Sequence, residues 1–185
     1  MNTRLKKNIG NALMAFSFLG LVFIYYPLAK EFFFPPVYSQ QEKNAVEFSV
    51  EIPSLGVFSK VIKDVDPFNQ DEYREKLKEG VAHAKNSSLP GESGTVYLFA
   101  HSSDVPWRIT RYNTAFFRLG EVKIGEKIII RNDGSEYEYK VYDKKEVWPD
   151  QVQYLTEPQG DILILQTCAP VGTALRRLLV FAKPI

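Results

Sequence analysis

The segment Asp161–Ile185 constrains the fold more than any other part of the chain. It contains two apolar runs, Ile162–Leu165 and Leu178–Ala182, and each run suits a strand of a packed β-structure. Pro170 and Gly172 lie between the runs. Proline cannot donate a hydrogen bond to a sheet and glycine accepts unusual backbone angles, so we expect the first strand to end there. The segment therefore predicts two strands joined by a loop.

The only cysteine of the chain, Cys168, lies at the end of the first strand, beside this loop. Arg176 and Arg177 follow eight and nine residues later, at the start of the second strand. Nearby positive charge favours the thiolate, which is the nucleophilic form of cysteine. The pattern therefore predicts a reactive thiol. The alternative is a buried cysteine that only fills space in the core.

Charge and residue counts exclude several classes of protein. The net charge is +1, because the chain has 23 Lys and Arg residues and 22 Asp and Glu residues. We find no basic patch of the kind that binds nucleic acid, so we expect no nucleic-acid partner. One cysteine and two histidines leave no intramolecular disulfide and no multi-cysteine metal site. We therefore predict no metal and no cofactor.

An uncharged run of twenty residues, Ile9–Leu28, predicts a transmembrane helix. Tyr25 and Tyr26 lie near its outer end, where amphipathic rings favour the membrane interface. The basic segment 1–8 precedes the run, and the positive-inside rule keeps such a segment in the cytoplasm. We therefore predict a single-pass signal anchor in the cell membrane, with the rest of the chain extracellular. The alternative is a cleaved signal peptide, for which Pro27-Leu28-Ala29 is a poor cleavage site.

The rest of the chain predicts a β-rich domain. We assign residues 29–44 to a juxtamembrane connector and residues 45–185 to the folded domain. Apolar and polar residues alternate over Val46–Ile52, which predicts a half-buried strand. Further predicted strands are Val57–Ile62, Thr95–Ala100, Lys127–Arg131 and Tyr137–Asp143. The last two are joined through the hairpin turn Asn132-Asp133-Gly134.

Helical structure is predicted to be minor. Asp71–Glu79 is charged and predicts a short exposed helix, and Thr114–Leu119 predicts one or two helical turns. Val147–Tyr154 is either a further strand or an extended loop. About seven or eight short strands with minor helices predict a closed or nearly closed β-barrel.

Two stretches of this domain resemble the sortases, a family of bacterial cell-surface cysteine transpeptidases. Ile164-Leu165-Gln166-Thr167-Cys168, followed by Arg177-Leu178-Leu179-Val180, is similar to the sortase signature, with Ile164 in place of the usual first threonine. Leu89-Pro90-Gly91-Glu92, then a strand and His101, follow the order found in many class D-like and E-like sortases. The resemblance covers roughly residues 45–185 and implies the sortase-type β-barrel.

The resemblance also implies roles for particular residues. Cys168 matches the nucleophile, which attacks the Thr–Gly bond of a Leu-Pro-X-Thr-Gly sorting signal and forms a thioacyl-enzyme that an amine resolves. His101 matches the general acid/base, with Ala100 before it where the family usually has glycine. Arg177 matches the residue that stabilises the oxyanion or the substrate. Thr167 is a predicted substrate or oxyanion contact, or has a structural role only.

Two of these assignments have competitors within the chain. His83 is the other histidine, and it follows the predicted exposed helix, away from any strand-end motif. Arg176 is the alternative to Arg177, and only one of the two can face Cys168 because adjacent strand residues point to opposite faces.

Partners follow from the same resemblance. Sorting-signal-bearing surface proteins would supply the acyl group, and a peptidoglycan cross-bridge or a pilin lysine would supply the amine. Two other hypotheses use the same chain: a catalytically idle barrel that binds peptides or assembles surface proteins, and a thiol hydrolase that passes the acyl group to water.

Two short motifs are predicted to carry no function. Leu89–Ser93 superficially resembles a sorting signal but lacks the Thr-Gly pair. Asp66-Pro67-Phe68 resembles the lid tripeptide of class C sortases, which precedes the first barrel strand. Here it follows two predicted strands, so we predict a loop turn.

Overall fold

Eight strands form the folded part of the chain. The computed structural model describes residues 3–33, 38–102, 115–157 and 159–185. The strands are β1 Phe48–Ile52, β2 Val57–Val65, β3 Val81–Ala84, β4 Thr95–Phe99, β5 Lys127–Asn132, β6 Ser135–Val147, β7 Ile162–Ala169 and β8 Arg176–Pro184. The helices are α1 Thr3–Phe33, α2 Gln40–Asn44, α3 Gln70–Lys76 and α4 Gln153–Thr156. Among the described residues, single-turn 3₁₀ helices lie at Pro53–Leu55 and Leu119–Glu121.

The strands close into a barrel in the order β1-β2-β3-β4-β7-β8-β6-β5, and β5 pairs with β1 to complete the circle. The β2–β3 and β4–β7 pairs are parallel, and the other pairs are antiparallel. Closure pairs the backbone N–H and C=O groups that the edge strands of an open sheet would expose. The predicted closed β-barrel of about seven to eight strands with short helices is confirmed.

The parallel β4–β7 pair forms a buried support for the functional end of the barrel. Ile162–Leu165 of β7 are all buried, as expected for a strand covered on both faces. In β4, Val96–Phe99 are buried as well. Because parallel strands point the same way, the carboxyl ends of β4 and β7 lie at the same end of the barrel.

Strand β1 differs from the prediction of a half-buried strand, because all five of its residues are buried. Ser49 is 0% exposed and Glu51 is 8% exposed. The Glu51 carboxylate is held by Lys43 of α2 and by Arg131 of β5, the latter at 2.7 Å. Burial alone would raise the pKa of Glu51, but these two cations lower it below its usual value. The alternation prediction was wrong because Lys43, from the helix before the strand, and Arg131, from a neighbouring strand, cover Glu51 on the polar face.

The hairpin between β5 and β6 confirms the predicted turn. Asp133 and Gly134 have φ values of 50° and 77°, which a two-residue hairpin turn of type I′ requires. Strand β6 continues to Val147, beyond the predicted end at Asp143. The segment after it is a loop followed by α4, so the strand alternative for Val147–Tyr154 was wrong.

Two smaller predictions had mixed outcomes. The short helix predicted at Asp71–Glu79 is present as α3, which Asn69 caps through its side chain. In the predicted segment Thr114–Leu119, Thr114 lies outside the described residues, and residues 115–118 form turns. Strand β3 was missed, because its four residues follow a helix and precede a polar loop without a clear alternation.

The N-terminal helix α1 contains the predicted run Ile9–Leu28. Within it, Lys6–Tyr26 is long and apolar enough to cross a membrane, and 0% of that window is buried. Part of the connector contacts the barrel: the ring of Tyr38 lies 4.8 Å from that of Phe58, and Lys43 pairs with Glu51. The domain boundaries at residues 8, 28 and 44 stay predictions.

Candidate active site

A cleft of about 750 Å³ opens at the end of the barrel where β4 and β7 finish. Four predicted site residues line it: His101, Thr167, Cys168 and Arg177. His101 lies two residues after the end of β4 at Phe99, and Thr167 and Cys168 lie near the C-terminal end of β7. Barrel closure therefore brings together residues that are up to 76 positions apart in the sequence.

Cys168 and Arg177 are direct partners in the antiparallel β7–β8 ladder. Opposite residues in such a ladder place their side chains on the same face, with Cβ atoms about 4.5–5.5 Å apart. Arg176 is paired with Ala169 instead and therefore points to the other face. The pairing favours Arg177 over Arg176 as the cation beside the thiol, and its catalytic role stays a prediction.

The Arg177 guanidinium is oriented by the loop that precedes it. Its Nη1 donates to the carbonyl oxygens of Ala174 and Arg176, both at 3.2 Å. None of the carboxylates in the described parts of the chain forms an ion pair with it. Among the described residues, the Arg177 guanidinium is thus a cleft cation without a carboxylate partner, which suits an anionic ligand or oxyanion.

The position of His101 is set through the residue before it. The Ala100 N–H donates to the Gln166 carbonyl at 3.1 Å, which extends the β4–β7 ladder by one step. The Thr167 hydroxyl donates to the Ala100 carbonyl at 3.0 Å. Two hydrogen bonds thus tie the backbone beside His101 to the two residues before Cys168. This partner for Thr167 favours its structural alternative, and the substrate contact stays a prediction.

The competing histidine, His83, lies outside the cleft in the middle of β3 and is 0% exposed. Its Nδ1 accepts from the Asp64 N–H at 3.4 Å, and its Nε2 lies 3.1 Å from the Ser88 carbonyl. Burial lowers the pKa of His83, and the Ser88 carbonyl and the Asp64 charge offset this only in part. His83 is therefore a neutral core histidine whose two ring nitrogens both have partners.

The cleft also contains residues that sequence reasoning did not single out for the site. Tyr97 and Gln166 line it from the strands that lead to His101 and Cys168. Counting back in steps of two from those residues would have found them, because alternate residues share a face. Trp148 lines the cleft after β6, with the Arg176 guanidinium 4.2 Å from its ring centre. No sequence signal pointed to Trp148.

The tripeptide Asp66-Pro67-Phe68 is a loop turn, as predicted, but it is not remote from the site. Pro67 and Phe68 line the cleft, and Phe68 is exposed. Tyr73 and Leu77, from α3 and its C-terminal end, continue the same wall. This wall therefore combines apolar and aromatic side chains with Gln70 and Arg74 of α3.

Metal ligands are not grouped in the parts of the chain that the structure describes. No cluster of three or more His, Cys, Asp or Glu side chains with suitable spacing occurs there.

Comparison with known proteins finds sortases among the similar sequences. A family model described as the sortase domain matches residues 50–185. Sortase D of Bacillus subtilis (strain 168) is 26% identical over 160 residues, which cover 80% of this chain and 72% of that protein. Sortase A of Bacillus anthracis is 27% identical over 139 residues, which cover 75% of this chain and 60% of that protein. The chain thus spans less than two thirds of the second relative.

Solved structures give the same result. The crystal structure of sortaseC1 from Streptococcus suis matches with a TM-score of 0.60 and 30% identity, covering 74% of this chain and 71% of that chain. These similar proteins carry the class names A, C and D. The class D-like or E-like character suggested by the sequence therefore stays a prediction.

Proposed function

The chain belongs to the sortase family of cysteine transpeptidases, and we propose that it cleaves a Leu-Pro-X-Thr-Gly-type sorting signal and joins the acyl part to an amine. The observation that carries this proposal is the cross-strand pairing of Cys168 with Arg177 in a cleft that His101 also lines. A thiol, an imidazole and a guanidinium are the groups that acyl transfer through a thioester needs.

The first half-reaction forms the acyl-enzyme. The Cys168 thiol gives its proton to His101, and its sulfur attacks the threonine carbonyl carbon of the signal, so a C–S bond forms and the carbonyl oxygen becomes negatively charged. Arg177 stabilises that charge. The C–N bond to glycine then breaks, and His101 donates a proton to the departing amine. The downstream peptide leaves, and the upstream part stays bound to Cys168 as a thioester.

The second half-reaction transfers the acyl group. An incoming amine attacks the thioester carbonyl and loses a proton to His101, while Arg177 again stabilises the oxyanion. The C–S bond breaks, an amide forms, and His101 returns the proton to the sulfur, which restores the thiol of Cys168. Holding the acyl group covalently lets a chosen amine compete with water.

Partners and location follow from this reaction. We propose that surface proteins bearing a sorting signal supply the acyl group, and that a peptidoglycan cross-bridge or a pilin lysine supplies the amine. Helix α1 would anchor the enzyme in the cell membrane as a single-pass span, with its N-terminus in the cytoplasm and the barrel outside. The candidate span Lys6–Tyr26 and the basic residues before and at its start support this orientation.

The test of the proposed function is product analysis with the full chain in detergent. The protein is incubated with a panel of sorting-signal peptides, with or without a glycine oligomer or a lysine-bearing peptide, and intact masses are recorded. We expect an acyl adduct on the protein and a new amide product only when an amine is present. Hydrolysed peptide despite saturating amine would instead support the thiol hydrolase, and no adduct with any peptide would support the idle binding barrel.

Exchange of the two neighbouring arginines tests the assignment of Arg177. We expect Arg177→Ala to lower kcat/KM for peptide cleavage by about 10²–10³-fold, the usual cost of losing an oxyanion donor. Arg177→Lys should recover little of this loss, because an ammonium group cannot reproduce the planar guanidinium fork. The matched control Arg176→Ala should cost far less. Equal losses at the two positions would contradict the assignment from the ladder register.

A further inference from the structure

Two side chains that line the cleft, Tyr97 and Gln166, have no role in the proposed reaction. Tyr97 is four residues before His101 on β4, and Gln166 is two residues before Cys168 on β7. Strand alternation places each on the same face as the site residue that follows it. Both line the cleft, and Phe99 is the ladder partner of Gln166.

A short hydrogen bond joins the two side chains. The Tyr97 hydroxyl donates to Oε1 of Gln166 at 2.6 Å. Tyr97 is 2% exposed, and burial raises the pKa of its hydroxyl, while the nearby Arg177 charge opposes that shift. The phenol is therefore a neutral donor. The bond occupies the amide oxygen of Gln166 and sets the orientation of the whole amide group.

The other half of that amide has no partner among the residues that the structure describes. The Gln166 NH₂ donates no hydrogen bond there, and its nitrogen is not among the buried groups that lack a partner. Gln166 is half-buried, so this donor faces the cleft rather than the core. A donor oriented into a ligand cleft matches an acceptor on the ligand, and the usual acceptor of a peptide is a backbone carbonyl.

The spacing between Gln166 and Cys168 along β7 indicates which peptide carbonyl accepts this hydrogen bond. Two strand residues advance about 6.6 Å, and a peptide extended along the cleft advances by the same step of about 3.3 Å per residue. For a peptide that lies along β7 with its scissile carbonyl at Cys168 and its acyl part towards Gln166, the Gln166 amide is level with a group two residues from the scissile carbonyl. On the acyl side of a Leu-Pro-X-Thr-Gly signal, that group is the proline carbonyl.

We propose that Gln166 is a substrate-binding residue that donates a hydrogen bond to the backbone carbonyl two residues upstream of the scissile carbonyl. Tyr97 is its positioning residue, since it orients the amide without touching the peptide. This inference rests on the proposed function, because it needs a sorting-signal peptide in the cleft.

Binding to a cysteine-free background tests the proposal separately from the chemistry. The full chain with Cys168→Ala, in detergent, is titrated with a fluorescent Leu-Pro-Ala-Thr-Gly peptide. Adding Gln166→Met, which keeps the length and removes the donor, should weaken binding by about tenfold, the worth of one such hydrogen bond. Adding Tyr97→Phe should weaken binding by a smaller factor, and the control Tyr139→Phe, a buried tyrosine outside the cleft, should leave the affinity within about twofold.

A second peptide identifies the acceptor. An alkene isostere of the Pro–Ala bond lacks the proline carbonyl oxygen but keeps the shape of the peptide. If Gln166 donates to that oxygen, Gln166→Met should have little further effect on binding of the isostere, and the two changes are then coupled. In the cysteine-containing enzyme, the same substitution should raise KM for the normal peptide more than it lowers kcat.

The possible outcomes distinguish a failure of the Gln166 proposal from a failure of the proposed function. Unchanged affinity in Gln166→Met, while the wild-type enzyme still turns over the peptide, would overturn this inference and leave the proposed function intact. Weakened binding that is the same for both peptides would overturn the assignment to the proline carbonyl. No binding to the Cys168→Ala protein together with no acyl adduct on the wild type would overturn both proposals.

Discussion

Replacing Cys168 with alanine is expected to abolish the acyl-enzyme and to lower the rate of peptide cleavage by on the order of 10⁴-fold or more. The reason is that the proposed reaction passes through a covalent thioester, and Cys168 is the only cysteine in the chain. The measurement is single-turnover cleavage of a sorting-signal peptide, with intact mass recorded in parallel.

The control for this prediction is the folded state of the variant. Cys168 is only half-buried, so the loss of its sulfur should change the free energy of unfolding by about 1 kcal/mol or less. Pre-incubation of the wild type with peptide should also slow alkylation of the thiol. Cleavage that persists in Cys168→Ala at a rate near that of the wild type would place the nucleophile on another residue.

Replacing each histidine with glutamine is expected to separate activity from stability. We expect His101→Gln to lower kcat by about 10²–10⁴-fold, because glutamine cannot transfer the proton in either half-reaction. We expect His83→Gln to keep kcat within about threefold at a temperature where the variant is folded. A large loss of kcat in His83→Gln, with His101→Gln unaffected, would reverse the assignment of the two histidines.

The His83 variant has its own readout in the pH dependence of stability. Burial lowers the pKa of His83 from its ordinary value of 6.5, so the folded protein binds this proton more weakly than the unfolded chain does. The contribution of His83 to the free energy of unfolding is therefore complete above about pH 6.5 and is lost as the pH falls through the lower folded-state pKa. In His83→Gln, denaturant unfolding between pH 8 and about pH 5 should lack this fall.

Local chemistry made the two strands that carry Cys168 and Arg177 predictable from the sequence. An apolar run, a proline that ends a strand and a second apolar run predicted two strands joined by a loop. The ladder of β7 and β8 then favours Arg177 over Arg176, because Cys168 is opposite Arg177. The hairpin at Asp133 was predictable for the same reason, since its backbone conformation depends on two adjacent residues.

Features that depend on distant partners were not predictable from a single sequence. Glu51 looks like a solvent-facing residue of an alternating strand, but it is buried because Lys43 and Arg131 neutralise it. Strand β3 is short and gains its support from β2 and β4 on either side. Phe68 reaches the cleft only because α3 and the loop before it fold over the end of the barrel.

The parallel pairing of β4 and β7 has a consequence for how this protein can be altered. The backbones that carry the proposed acid/base and nucleophile are joined by main-chain hydrogen bonds within one ladder. The loop after β6, by contrast, shapes the rim of the cleft and makes no part of that ladder. Exchanging the loop for another sequence should therefore change which peptides enter while the reacting groups keep their spacing, which makes the barrel a scaffold for redirected ligation.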